Sequence, residues 1–175
     1  MSQEMSTVLI TGSNRGIGLE FVKQYSQSDC KVIATCRNPS KADDLNELAK
    51  TNSNINILAA DITQEESINN LSAELNNEPI DILINNAAYL GPPDPQKFGD
   101  IDYEMFTRSF EVNAIGPIRI TERLIDNVRS SDTKKIIFLG SAAGSIAQIT
   151  PPVTLYSYRS SKAALHLAVH NLYHE

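Results

Sequence analysis

The stretch VLITGSNRGIGLEF, residues 8–21, constrains the fold more than any other part of the chain. A short apolar run ends at Thr11, and Gly12, Gly16 and Gly18 follow as a segment of helical periodicity begins. Such a run bounded by glycine reads as a buried strand over 7–11, and the segment over 15–28 as a helix. Glycine lets the backbone turn tightly and approach a ligand closely. The first N–H groups of the helix, and the positive end of its dipole, then face the turn. This arrangement suits a pyrophosphate better than it suits an ordinary connection. It makes Gly12, Ser13, Asn14, Arg15, Gly16, Ile17 and Gly18 a candidate dinucleotide cradle. The spacing is G-x-x-x-G-x-G, a variant of the better-known G-x-G-x-x-G turn.

Strand-like and helix-like segments alternate beyond this point. KVIATC (31–36), NINILAA (54–60), IDILINNAA (80–88) and KKIIFLGS (134–141) read as strands, and 39–50, 64–77, 102–130 and 155–175 as helices, with the last-but-one interrupted at Gly116-Pro117. Regular alternation implies right-handed βαβ units and a parallel sheet covered on both faces. The fold class is therefore α/β, a doubly wound parallel sheet of Rossmann type in three α/β/α layers. Residues 1–175 form one domain.

Composition narrows the function classes. The formal net charge is -6 and the 15 Lys and Arg are scattered, so no nucleic-acid footprint is present. No apolar run is long enough to span a bilayer, and the first residues contain no basic leader, so a cytoplasmic protein with no membrane association is expected. Cys30 and Cys36 flank or occupy one strand, where alternation disfavours a disulfide, and two buried thiols fit a reducing compartment.

The choice of dinucleotide rests on the end of the second strand. An acid there suits a ribose 2′-hydroxyl, whereas arginine suits a 2′-phosphate. ATCRNPSK offers Arg37 and no acid before Asp43, and Arg15 offers a second guanidinium. NADP(H) is expected over NAD(H).

Near the end of the chain, Tyr158 and Lys162 stand four apart, which puts both on one helix face. Tyr156 has Ser160 at that spacing and cannot form the same pair. A free tyrosine has a pKa of about 10, and a nearby ammonium favours its phenolate and brings it towards acid–base work near neutrality.

Five segments together resemble one family. TGSNRGIG (11–18), NNAA (85–88), Asn113 in FEVNAIGP, GSAAG (140–144) and YRSSK (158–162) are similar, in this order, to the motifs of the short-chain dehydrogenases/reductases. The wording ATCRNP and YSYRSSKAAL resembles the sniffer and C-factor-like carbonyl reductases. The resemblance implies an oxidoreductase that reduces a small carbonyl substrate, ketone or aldehyde, by hydride transfer. It implies that Tyr158 exchanges the proton, Lys162 holds the nicotinamide ribose, Ser141 hydrogen-bonds the substrate carbonyl and Asn113 positions a water. It further implies that Asp61 and Ile62 meet the adenine, that Asn85 braces the sheet and that the Ala87 backbone lies near the ribose. Ala88 replaces the family's usual glycine. The Ser141–Tyr158 interval of 17 residues exceeds the family's commonest spacing, with the surplus in IAQITPPVT (146–154).

In that family the helices matching 102–130 and 155–175 pair across a homodimer, which gives Phe106, Phe110, Leu124, Leu165, Val169 and Leu172 core and subunit-contact roles. Further strands follow the last helix there, so the chain is expected to be C-terminally incomplete. Competing readings are a cofactor-binding or regulatory protein without chemistry and a sugar-nucleotide epimerase, whose glycine motif is spaced differently. His166, His170 and His174 form a stripe on a polar helix face, but no Cys or Glu cluster accompanies them and no metal is expected. PPDP (92–95) reads as a loop near the cleft.

Overall fold

The computed structural model describes residues 5–92, 96–149 and 154–175. Five parallel strands form one sheet: β1 (Ser6–Thr11), β2 (Cys30–Cys36), β3 (Ile55–Ala59), β4 (Ile82–Asn85) and β5 (Lys135–Phe138), in the order β3-β2-β1-β4-β5. Side-chain alternation divides each strand between two cores. Val8, Ile10, Val32, Ala34 and Ile84 face helices α1 (Gly16–Ser26) and α2 (Asp43–Thr51), where Val22 and Leu45 close the layer. Leu9, Ile33, Leu58 and Leu83 face α3 (Glu65–Leu75) and α5 (Gly116–Arg129), through Ile68, Leu71, Ile120 and Leu124. Each fully buried Leu or Ile contributes roughly 1.5–3 kcal/mol. The doubly wound, three-layer reading of the sequence is the observed fold.

The chain runs outward through β1, β2 and β3, then crosses back to place β4 on the other side of β1. This reversal opens a crevice at the carboxyl ends of β1 and β4, where open α/β sheets bind ligands.

Several boundaries differ from the sequence expectation, each for a local reason. The strand expected over 80–88 ends at Asn85, because the N–H groups of Asn86 and Ala87 donate to Thr11 Oγ1 (3.0 and 3.1 Å). The strand expected over 134–141 ends at Phe138, where Gly140 N–H turns back onto the Phe138 carbonyl (3.0 Å). The helix over 39–50 divides into a 3-10 turn, Pro39–Lys41, and α2, broken at Ala42 (φ -100°, ψ 63°).

The long stretch over 102–130 has three parts: α4 (Tyr103–Phe110), a π-turn (Glu111–Ile115) and α5. Asp102 starts it, its Oδ1 accepting from Met105 N–H (3.0 Å). The π-turn follows from Pro117, which has no N–H to send to the Asn113 carbonyl four residues back. Gly116 N–H donates to the Glu111 carbonyl instead. The last helix, α6 (Tyr156–Tyr173), begins after Leu155 in left-handed conformation (φ 60°) and packs on α4 and the π-turn. Parts of the two loops singled out in the sequence, 93–95 and 150–153, lie outside the described residues. Among the described residues no helix is long and apolar enough to cross a membrane.

Candidate active site

A cleft of about 1310 Å³ opens at the carboxyl ends of the strands, with the glycine turn as its floor. Gly12 and Gly16 have φ of +69° and +57°, in the region that favours glycine. A Cβ on Gly16 would meet nothing within 4 Å, so its backbone lies open to a ligand. A Cβ on Gly18 would lie 2.2 Å from the Gly12 carbonyl oxygen and 2.5 Å from Asn86 Nδ2. Asn86 staples the turn to β4, its Nδ2 donating to the carbonyls of Thr11 (2.9 Å) and Gly12 (3.1 Å). Ser13 is fully buried behind the floor. Its Oγ donates to the Ile10 carbonyl (2.8 Å) and its N–H to the Thr35 carbonyl (2.9 Å). It therefore shapes the turn from outside the cleft wall.

The other candidate cofactor residues divide similarly. Asn14, Arg15, Ile17, Arg37, Asp61, Ile62 and Ala87 all line the cleft. Among the described residues neither arginine is paired with a carboxylate. The Asp61 carboxylate is engaged locally, accepting from Thr63 N–H (3.0 Å) and Thr63 Oγ1 (2.7 Å). Asn85 sits behind the wall, its Nδ2 donating to Thr121 Oγ1 (3.0 Å), which ties β4 to α5. An exposed glycine backbone at a helix N-terminus, with two guanidinium groups lining the same cleft, fits a dinucleotide bearing an extra phosphate.

Tyr158 and Lys162 reach the same cleft from α6. Lys162 is 3% exposed, and its Nζ donates to the Leu139 carbonyl (2.7 Å) and lies 6.0 Å from the centre of the Tyr158 ring. Among the described residues no carboxylate compensates this ammonium, and burial pushes its pKa below the ordinary lysine value. Gln96 caps the start of α6, its Oε1 accepting from Ser157 N–H (2.9 Å).

Ser141 and Asn113 stand outside the cleft wall. Ser141 precedes the 3-10 turn Ala142–Gly144, and its Oγ accepts from Ala143 N–H (3.2 Å), which leaves the hydroxyl proton available to another acceptor. That turn rests on α6: a Cβ on Gly144 would lie 2.7 Å from the Lys162 carbonyl carbon. The side chain of Asn113 is fully buried and committed. Its Oδ1 accepts from Tyr89 N–H (2.7 Å), while its Nδ2 donates to the Tyr89 carbonyl (2.8 Å) and to Ser161 Oγ (3.0 Å).

Other contributors were not marked by the sequence reading. Thr107, Arg108 and Glu111 line the cleft from α4 and the π-turn, and the Arg108 guanidinium lies 4.6 Å over the Tyr89 ring. The four-residue spacing of Thr107 and Glu111 is a usable signal for a shared face. Ser161, the relay between Asn113 and the Tyr158 carbonyl (2.9 Å), has no such signal.

The histidine stripe resolves into separate contacts. His170 and His174 meet edge to face at 4.7 Å, whereas His166 Nε2 accepts from Ser141 N–H at 3.3 Å. Among the described residues no three His, Cys, Asp or Glu side chains are grouped to hold a metal. Leu124 and Leu165 are core residues, Phe106 and Phe110 stack at 5.3 Å, and Phe110 borders a shallow hollow of about 420 Å³ between α5 and α6.

Comparison with known proteins matches this architecture. The sequence pattern of the short chain dehydrogenase family matches residues 6–175. The short chain dehydrogenase gsfK of Penicillium aethiopicum is 34% identical over 172 residues, covering 94% of this chain and 68% of its own length. A carbonyl reductase from Pseudomonas aeruginosa PAO1, solved in complex with NADP, superposes with a TM-score of 0.83 at 30% identity, covering 96% of this chain and 75% of that one. The carbonyl reductase Sniffer of D. melanogaster gives 0.83 at 27% identity, covering 97% and 74%. The chain belongs to the short-chain dehydrogenase family of oxidoreductases.

Proposed function

We propose that the chain reduces a ketone or aldehyde to an alcohol at the expense of NADPH. The observation that carries this reading is the single cleft shared by the glycine turn, the two uncompensated arginines and the Tyr158–Lys162 pair. The bound dinucleotide would supply a hydride to the carbonyl carbon. The glycine turn and the start of α1 hold its pyrophosphate, Arg15 and Arg37 its 2′-phosphate, and Lys162 its nicotinamide ribose. NADP is preferred over NAD because Arg37, and no acid before Asp43, follows β2, and the NADP complex of the Pseudomonas relative supports the same choice.

Tyr158 donates its phenolic proton to the substrate oxygen as the alcohol forms, and the Lys162 ammonium stabilises the phenolate left behind. The Ser141 hydroxyl, its proton uncommitted, donates to the same oxygen as negative charge develops. Asn113 contributes through its backbone carbonyl, because its side chain is fully engaged and Pro117 cannot occupy that carbonyl with an N–H. A water held there would return a proton to Tyr158 by way of Lys162. The apolar hollow between α5 and α6 supports a homodimer contact along these helices. Two free thiols fit a cytoplasmic setting.

A second reading, cofactor binding without turnover, is favoured by one observation: Ser141 Oγ is turned onto Ala143 N–H and lies outside the cleft wall. NADPH oxidation by the 175-residue chain against a panel of ketones and aldehydes separates the two. Turnover lost in Tyr158→Phe with NADPH binding retained supports the reductase. Unchanged turnover in that variant removes Tyr158 as proton donor, and tight NADPH binding without turnover of any carbonyl supports the second reading.

A further inference from the structure

We propose that His166 is a positioning residue for Ser141, and that only its neutral imidazole can do this work; the proposal rests on the role given to Ser141 above. One hydrogen bond and one close approach carry it. Ser141 N–H donates to His166 Nε2 at 3.3 Å. The same nitrogen would lie 2.8 Å from a Cβ on Gly140, so the Nε2 edge of the ring abuts the backbone at Gly140 and Ser141. The Ser141 N–H has this one protein acceptor among the described residues, while its Oγ is held from the other side by Ala143 N–H (3.2 Å). The backbone that aims the hydroxyl is therefore gripped between an α6 side chain and the next turn.

Charge decides whether that grip exists. A neutral imidazole has one acceptor nitrogen, and an imidazolium has none. On α6 the titratable neighbours one turn away are Lys162, whose ammonium donates to the Leu139 carbonyl, and His170, whose ring meets His174. Among the described residues that follow β5, 139–149 include no Asp, Glu, Lys, Arg or His. Lys134 and Lys135 stand before and at the start of β5, the end away from Gly140, and Tyr156 and Tyr158 begin α6. Protonation replaces an acceptor with a donor that faces the Ser141 N–H, so the serine segment is pushed out of register. Histidine side chains change charge between about pH 5 and 8, so turnover acquires an acid limb that does not originate at Tyr158 or Lys162.

Two variants attack the contact from opposite sides. His166→Phe keeps the ring and removes the acceptor. Gly140→Ala keeps the histidine and displaces its ring, which is the movable end of a side chain. Each is expected to lower kcat on the order of 10- to 100-fold, with the NADPH Kd within about 2-fold of the parent. The double variant should lose no more than either single one, since both remove one interaction. His166→Gln, which carries an acceptor oxygen and does not titrate, should recover most of the Phe variant's loss and abolish the acid limb. A structural measurement runs alongside on the unmutated chain: the Ser141 amide resonance should move with the His166 ring as pH falls, and should stop moving in His166→Phe. An unchanged kcat in His166→Phe, or a Ser141 amide that ignores the His166 titration, overturns the proposal. If the parent turns over no carbonyl, the reductase reading has failed, and the amide titration alone decides whether His166 positions Ser141.

Discussion

Substituting Gly18 by alanine tests whether the glycine turn is held by sterics as the structure requires. The new Cβ would stand 2.2 Å from the Gly12 carbonyl oxygen, 2.9 Å from the Gly12 carbonyl carbon and 2.5 Å from Asn86 Nδ2. Ordinary carbon–oxygen contacts exceed 3 Å, so two backbone atoms and the staple must all retreat by roughly 1 Å. Overpacking of this kind costs about 1–3 kcal/mol. Freeing Asn86 from the Thr11 and Gly12 carbonyls adds on the order of 1 kcal/mol. For a chain of this length, that is a drop in Tm of roughly 4–15 °C. The turn that survives presents its N–H groups out of line, and NADPH binding should weaken at least 10-fold. Gly16→Ala is the control. Its Cβ meets nothing within 4 Å, and its cost is the strain of φ +57°, about 1–2 kcal/mol. Thermal melts and fluorescence titration with NADPH read both variants. Parental Tm and affinity in Gly18→Ala, or a larger loss in Gly16→Ala, would refute the steric argument.

Two further outcomes follow from the charges around the cleft. Arg37→Ala should weaken NADPH binding roughly 10- to 100-fold and leave NADH binding nearly unchanged, since a charge-assisted hydrogen bond contributes about 1.5–3 kcal/mol; equal losses for both dinucleotides would remove Arg37 from the 2′-phosphate site. Lys162→Met should abolish turnover yet raise Tm at pH 7 by a few degrees, about 1 kcal/mol, because it removes a buried ammonium that has no carboxylate partner among the described residues. The lysine pKa is lowered in the folded state, so the penalty is fully present below that folded value and fades as pH rises towards the unfolded one. The stability gap should therefore narrow in melts at high pH, and a less stable Met variant at pH 7 would contradict this account.

The layers of the fold were legible because the strands carry their own burial pattern. Val8, Leu9 and Ile10 are apolar in succession, as a strand covered on both faces requires, and the glycines announce where the first strand ends. What could not be read was the division of labour between adjacent like residues. The sequence assigns Asn85 to the sheet, and its side chain bonds Thr121 behind the cleft, but nothing marks the identical Asn86 for the glycine turn. Ser13 is part of the glycine motif but faces inward. His166 belongs to a regular, solvent-facing stripe, and its contact with Ser141 exists only once β5 and α6 are brought together. Helical spacing describes one helix and carries no information about a neighbour 25 residues away.

Asn113 illustrates the same limit and leads to a sharper test than its own replacement. Asn113→Ala removes three hydrogen bonds that hold the Tyr89 backbone and Ser161, so any loss of turnover mixes a collapsed wall with a missing relay. Pro117 separates the two. Pro117→Ala supplies the N–H that an α-helix sends to the Asn113 carbonyl, and so favours a regular helix across the π-turn without touching the asparagine amide. If the backbone carbonyl holds the water that reprotonates Tyr158, closing that carbonyl should lower kcat on the order of 10-fold with little change in NADPH affinity. If the amide alone matters, Pro117→Ala should keep its turnover, and Asn113→Ala should lose turnover and Tm together. The π-turn would then be a consequence of proline chemistry with no part in the proton path.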